Sequence, residues 1–223
     1  MLKPHKRITK RQLKEDKFVT YYFKAIDYVE NYSRHILIGL GAIVLISAAL
    51  FYHSQKQAEK DAKAVVELTK ANQEYATANY ERATVILKNL LETYGSTKSG
   101  KLAKFYLANN YFELKNYSDA EKYYRDFSDD SDDDVLIASA LSGAAACLEE
   151  QGKFSDAADM YKKTADKYED GVFAAENLYH SARCYVLSGN QQEAREMLNR
   201  LLEKHPDSAI ENDAQLLLAE LAS

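Results

Sequence analysis

Cys147 and Cys184 are the only two cysteines of this 223-residue chain, and 37 residues separate them. They are either a disulfide or two buried thiols, and the distance the fold sets between them decides which. Asp129, Asp130, Asp132, Asp133 and Asp134 form an acidic run. Such a run can bind calcium, but this one lacks the alternating ligand spacing and the glycine of a calcium loop. It reads better as a solvated connection whose last aspartate caps the next helix. The five histidines, at 5, 35, 53, 180 and 205, fall in unrelated places. The chain contains no HExxH, GxSxG, phosphate loop or paired CxxC. The expectation is a protein that is not an enzyme, with no cofactor, metal or small-molecule substrate.

The elements that carry these residues repeat. Ala83, Ala120, Ala157 and Ala194 stand 37 residues apart, as do Ala71, Ala108, Ala145 and Ala182 twelve positions before them. Tyr80, Tyr117, Phe154 and Gln191 precede the first set by three residues, and Leu87, Tyr124, Tyr161 and Leu198 follow it by four. A register held through four copies marks a repeat array. Small residues at helical offsets let two helices approach closely, and the large residues beside them fill the space to the next pair. Between the alanine sets lie "TANYERA", "LKNYSDA", "QGKFSDA" and "SGNQQEA". Gly152 and Gly189 suit the left-handed end of a helix, with Asn79, Asn116 and Asn190 one step away. Ser118 and Ser155 follow and suit N-caps. Each copy is therefore helix, tight turn, helix. One copy cannot bury its own apolar face, so the copies stack.

This small–small–aromatic spacing resembles the tetratricopeptide repeat over residues 64–208, in four copies. The resemblance implies an all-α helical solenoid, with residues 209–223 as a capping helix. The period is 37 where about 34 is usual, and the family's terminal proline survives only as Pro206. The spare residues fall between repeats, in "YGSTKSG", "SDDSDDD" and "YEDGVF". The first copy is the weakest, with Lys70 and Glu74 at expected apolar positions. In such arrays the first helices line a concave groove. The family register places Asn72, Tyr75, Leu102, Phe105, Asn109, Phe112, Glu113, Ser142, Glu149, Tyr179 and Arg183 there. Members that clamp a peptide's terminal carboxylate carry lysines at such positions, and this groove has none. Its aromatics and asparagines suit an extended or helical apolar segment of another protein. The alternative is that some of these aromatics pack between repeats.

Upstream, residues 35–55 carry no charge, and Ile36–Tyr52 reads "ILIGLGAIVLISAALFY". Seventeen apolar residues make a helix about 25 Å long, the low end of what crosses a bilayer, and a membrane span is the expectation. Tyr32, Tyr52 and His53 suit its interfaces. A buried soluble helix would need a surrounding core that residues 1–34 do not supply. A cleaved signal peptide, with "SAA" at 47–49 as its site, is disfavoured by the 34 preceding residues. Those residues hold nine Lys or Arg against four acids, whereas residues 53–223 hold twenty against thirty. The basic side stays cytoplasmic, so the repeats are expected across the membrane, in a bacterium the periplasm. A mildly acidic array without a basic stripe argues against nucleic acid.

Residues 1–34 read as a basic tail followed by a juxtamembrane helix. Phe18, Tyr22, Ile26 and Val29 recur at helical spacing, flanked by Lys14, Lys17, Lys24 and Arg34. That helix is expected to lie on the cytoplasmic membrane face. Its charges either set topology alone or contact anionic lipid or a membrane partner. After the span, residues 56–63 form a helical linker without proline or glycine, so the membrane helix is expected to run into the first repeat helix and hold the array near the bilayer. An oxidising compartment permits a disulfide. Equivalent positions on neighbouring helices nevertheless sit about 8–10 Å apart, beyond the bridging limit near 7 Å, which favours free thiols.

The layout and the stretch "VENYSRHILIGLGAIVLISAALFYHSQKQ" resemble the YfgM-like family, ancillary subunits of the SecYEG protein-conducting channel. The resemblance implies a chaperone-like or scaffolding role beside the translocon, with SecYEG subunits and periplasmic folding factors as partners. Two alternatives are a structural adaptor of an envelope-assembly complex and an organelle membrane receptor in a eukaryote. A lipid-attachment cysteine near the start, expected of lipoprotein adaptors, is missing.

Overall fold

The computed structural model describes residues 17–222, with side chains described from residue 20 onward. The basic segment 1–16 with Lys14, the side chains of Lys17 and Phe18, and Ser223 lie outside the described residues. The chain divides into two compact units, Met1–Lys56 and Gln57–Ser223.

The described part of the first unit belongs to one helix, α1 (Lys17–Ala76). Its apolar stretch is exposed on every face, as Leu37, Ile38, Leu40, Val44 and Leu45 show. A core helix of a soluble protein would be mostly buried, and none of this window is. The helix is long and apolar enough to cross a membrane. Tyr21, Tyr22, Phe23, Tyr28 and Tyr32 are exposed just upstream. No break separates Arg34 from His35. The segment before the apolar stretch thus continues into it as one helix.

In the second unit the end of α1 is followed by α2 (Tyr80–Tyr94), α3 (Lys98–Glu113), α4 (Tyr117–Asp130), α5 (Asp134–Glu150), α6 (Phe154–Lys167), α7 (Ala174–Leu187), α8 (Gln191–Lys204) and α9 (Glu211–Glu220). Every element among the described residues is helical; from α2 to α9 each packs on its neighbours in chain order, and the end of α1 joins them through Leu68 and Ala71, clustered with Leu87 and Leu90. Both alanine sets have zero exposure in all four copies. Leu87, Tyr124, Tyr161 and Leu198 are buried beside them. Two apolar clusters result, and α5 serves both. It contributes Ala140, Ala144 and Cys147 to the first and Ala145 and Leu148 to the second. Both cysteines are free and buried. Helix α9 closes the stack with Ala214 buried and Leu217, Leu218 and Leu221 packed on the second cluster.

The turns inside the pairs follow the same period. Ala78, Lys115, Gly152 and Gly189 all have positive φ, at 57°, 59°, 73° and 83°. The next residue's N–H reaches back five positions in each copy: Asn79 to the Glu74 carbonyl, Asn116 to Tyr111, Lys153 to Leu148 and Asn190 to Tyr185. A second bond runs from each positive-φ residue to the carbonyl three before it. This is the Schellman motif, which satisfies carbonyls that the helix end leaves open. The caps differ from the expected ones. Ser118 and Ser155 lie inside α4 and α6, because Asn116 and Lys153 already occupy the boundary. In the acidic run the cap is Asp133, whose carboxylate accepts from the Val135 and Leu136 N–H groups, and Asp134 is the first helical residue. Asp130 ends α4 instead of lying in the loop, and it pairs with Lys104.

The N-terminus of α3 ties the array to α1. Thr97 accepts from the Gly100 N–H at 2.9 Å, and Asp61 on α1 accepts from the Ser99 N–H at 2.8 Å. Gly100 is required here, since a Cβ would lie 1.9 Å from the Tyr94 carbonyl oxygen. The Ser99 N–H holds the Asp61 carboxyl below its ordinary value of 3.8.

Two predictions follow from this geometry. A left-handed non-glycine residue costs roughly 1–2 kcal/mol, partly offset by the greater freedom of glycine when unfolded. Lys115→Gly should therefore raise stability by about 0.5–1 kcal/mol, and Gly152→Ala should lower it by about 1 kcal/mol, in thermal or urea melts. Asp61→Ala should cost about 1 kcal/mol at neutral pH. A depressed folded-state pKa stabilises above the unfolded value and is lost as pH falls through the folded one. The gap between wild type and Asp61→Ala should hold above about pH 5 and shrink below about pH 4.

Candidate functional site

The first helices of the four pairs, namely the end of α1, α3, α5 and α7, carry all the groove positions expected from the sequence. The structure links several of them in a row. The Tyr75 hydroxyl donates to Glu113 Oε1 at 3.3 Å, from α1 to α3. The Ser142 hydroxyl donates to Asn177 Oδ1 at 2.8 Å, from α5 to α7. Arg183 Nη2 donates to both Glu149 oxygens, at 2.6 and 2.8 Å, again from α7 to α5. It also lies 3.3 Å from His180 Nδ1. Tyr179 meets the His180 ring edge-on at 5.8 Å.

Other expected positions face their own helix pair. Phe105 is half-buried, with its ring 5.9 Å from Tyr124 and 5.4 Å from Phe127 on α4. Asn109 accepts a 2.5 Å hydrogen bond from the Tyr124 hydroxyl. Phe112 is half-buried and meets Tyr117 edge-on at 5.3 Å. Leu102 lines a separate cleft of about 750 Å³ with Gln57, Lys101, Phe127, Asp133 and Leu136, at the loop end of α3 and α5. Asn72 is half-buried on α1.

Residues beyond the expected set complete the surface. Tyr161 of α6 stacks on His180 at 5.2 Å. Tyr117 donates to Glu150 at 3.0 Å, extending the cross-links from α4 to α5. A cavity of about 280 Å³ opens among Ser139, Ser142, Gly143, Ala146, Tyr161, Phe173, Asn177 and His180. The 37-residue period holds a signal for it. Leu102, Phe105, Tyr106 and Asn109 on α3 correspond to Ser139, Ser142, Gly143 and Ala146 on α5, and these to Glu176, Tyr179, His180 and Arg183 on α7. The middle helix is small at all four positions.

The titratable groups on this surface hold fixed protonation states at neutral pH. Burial first, and the Arg183 guanidinium second, push His180 below its usual range against the pull of Glu149 and Glu176. Its ring is thus neutral at neutral pH and can accept from Arg183 at Nδ1. Burial lifts the Tyr124 and Tyr161 hydroxyls well above the ordinary tyrosine range. It also pushes the Cys147 and Cys184 thiols up to about 12. Neither thiol is a nucleophile at such a value. Among the described residues no cluster of His, Cys, Asp and Glu could hold a metal ion.

Stacked helix pairs, each closed by the same turn and lined by a row of aromatic and amide side chains, define a helical-repeat scaffold. The tetratricopeptide repeat-like domain matches residues 27–167, and the tetratricopeptide repeat matches residues 148–221. The first match covers more than half the chain, which belongs to this family. Among solved structures, BtubC (BKLC) from P. vanneervenii is similar at 13% identity and a TM-score of 0.58, over 66% of this chain and 65% of that one. This chain thus spans just under two thirds of BtubC. A Podosopora anserina protein with nearly identical TPR-like repeats, described as a kinesin light chain, gives 13% identity and a TM-score of 0.58 over 71% and 85%. At these identities the likeness concerns the fold. Among curated proteins, none matches the chain.

The packing of the two phenylalanines makes a stability prediction. Full enclosure of a phenylalanine is worth about 3–5 kcal/mol against alanine. Phe105, set among Tyr106, Tyr124 and Phe127, should cost about 2–3 kcal/mol on truncation, and Phe112, against Tyr117, about 1 kcal/mol. Equal shifts in melting temperature for Phe105→Ala and Phe112→Ala would contradict this packing.

Proposed function

We propose that this chain is a membrane-anchored protein-interaction scaffold that receives apolar segments of partner or client proteins in the groove of α1, α3, α5 and α7. The observation that carries this reading is the set of hydrogen bonds between neighbouring first helices, Tyr75 to Glu113, Ser142 to Asn177 and Arg183 to Glu149, beside the half-buried rings of Phe105, Phe112 and Tyr179. Such a surface is set before a partner arrives, so binding loses little side-chain entropy. Aromatic rings offer area, and the amides can pair with a peptide backbone. The groove positions carry no lysine, which disfavours capture of a terminal carboxylate.

The exposed apolar stretch of α1 supplies the anchor. Nine basic residues before it and the acidic excess after it support a cytoplasmic N-terminus with the repeats on the far side, in a bacterium the periplasm. With the YfgM-like resemblance, this supports a chaperone-like role beside the protein-export channel, with channel subunits and periplasmic folding factors as partners.

Two measurements test the proposal. Both native thiols are buried, so a cysteine placed at exposed Glu203 should be the one that an impermeant maleimide labels. Labelling from the far side of the membrane is expected, and labelling from the cytoplasmic side overturns the orientation. Native pull-down from membranes should recover channel subunits, whereas recovery of envelope-assembly proteins alone would replace the translocon reading by an adaptor role.

A further inference from the structure

Resting on the groove reading, we propose that the bound segment is cationic and amphipathic, and that one of its large apolar side chains seats in the notch over α5. The notch has a structural origin. Gly143 lacks a Cβ because the Tyr124 ring fills that place, 2.5 Å from where a Cβ would sit. Ser139, Ser142 and Ala146 keep the same stretch of α5 low, beside the larger side chains of α6 and α7. Tyr161 stacked on His180 forms one wall, and Phe173 contributes another. The volume, about 280 Å³, falls below the roughly 300–1,000 Å³ of pockets that enclose whole small molecules. It suits one side chain of a larger ligand, and its aromatic walls select an apolar one.

Charge selects the rest of the segment. The cation at the groove positions is Arg183, and Glu149 holds it through two short hydrogen bonds. His180 is kept neutral by burial and by that same guanidinium. Glu176 borders the notch and is exposed. Glu113 and Glu150, 37 residues apart, stand at one end of the face and are exposed. Glu113 accepts from the Tyr75 hydroxyl and Glu150 from the Tyr117 hydroxyl, bonds that leave the carboxylate charge in place. Glu176 thus borders the apolar seat, Glu150 and Glu113 add charge further along the same face, and the cation at the groove positions is already paired. An incoming lysine or arginine gains from all three, and an incoming carboxylate meets repulsion. The polarity is opposite to that of a lysine-lined groove.

The test uses the full chain in nanodiscs of neutral phosphatidylcholine, which leaves cationic peptides no charged lipid. Three fluorescent peptides of about a dozen residues are compared by anisotropy: lysines around a central phenylalanine, glutamates around it, and lysines around a serine. The lysine–phenylalanine peptide should bind about ten-fold tighter than either other, and should weaken as salt is raised. Glu150→Gln with Glu176→Gln, which keeps the hydrogen-bond acceptors, should erase the charge preference without moving the melting temperature. Ala146→Phe, or Ser139→Phe if the first is unstable, should erase the preference for phenylalanine over serine. Equal binding of all three peptides, still lost when groove aromatics are truncated, leaves the groove reading intact and overturns this inference. Binding by none of the peptides overturns both.

Discussion

Close helix contact at alanine is the constraint on which the rest of this array depends. Eight alanines, one on each helix of the four pairs, have no exposed surface at all. A larger side chain at any of them would have to displace a helix, and overpacking of this kind typically costs about 1–3 kcal/mol. Because the paired helices touch there, the large residues one turn on are driven outward into the gap between pairs. Leu87, Tyr124, Tyr161 and Leu198 fill those gaps. Tyr124 goes furthest: its ring occupies the space of the absent Gly143 side chain on the next helix. Helix α5 is therefore buried on two sides, and it is the helix through which both apolar clusters are joined.

The turn fixes the angle at which those contacts can form. One residue in the left-handed region and two backbone bonds reverse the chain in every pair. Glycine performs this in the last two pairs, while Ala78 and Lys115 do so at a steric cost in the first two. The bonds made by the following N–H group hold these residues where their own preference would not. Local strain and tertiary packing are thus linked, since the turn is over-determined by the helices on both sides of it.

The array was legible in the sequence because it is periodic. The alanine register, the glycine turns and the capping helix all rest on spacing, and spacing survives a change of residue type. What the period could not reveal depends on single atoms. Asn116 and Lys153 end the turn and start the next helix at once, so Ser118 and Ser155 fall inside helices. In the acidic run, five similar residues compete for one cap, and geometry alone selects Asp133. The Asp61 bond to the Ser99 N–H joins residues 38 apart that no repeat position links. In the groove, residue type identified aromatics and amides, but it could not say that Phe105 leans on α4 while Tyr179 stays with His180 on α7. The small column on α5 was visible in the register and becomes informative only when set against the larger columns on either side.

The same close packing explains the character of the groove. Helices that approach at alanine bring side chains of neighbouring first helices within hydrogen-bond reach, as Glu149 and Arg183 show, although they are not equivalent repeat positions. A groove whose polar groups bond one another holds its shape without a partner, and desolvating it on binding leaves few polar atoms unpaired. It also leaves little free charge of the paired kind, so discrimination falls to the groups outside the cross-links. On the proposed reading those are the notch, sized for one side chain, and the carboxylate charge of Glu176 at its border and of Glu150 further along α5. In that proposal, shape and charge are read by different residues. The first can be altered at Ala146 or Ser139 and the second at Glu150 or Glu176, with the stack of alanines left untouched.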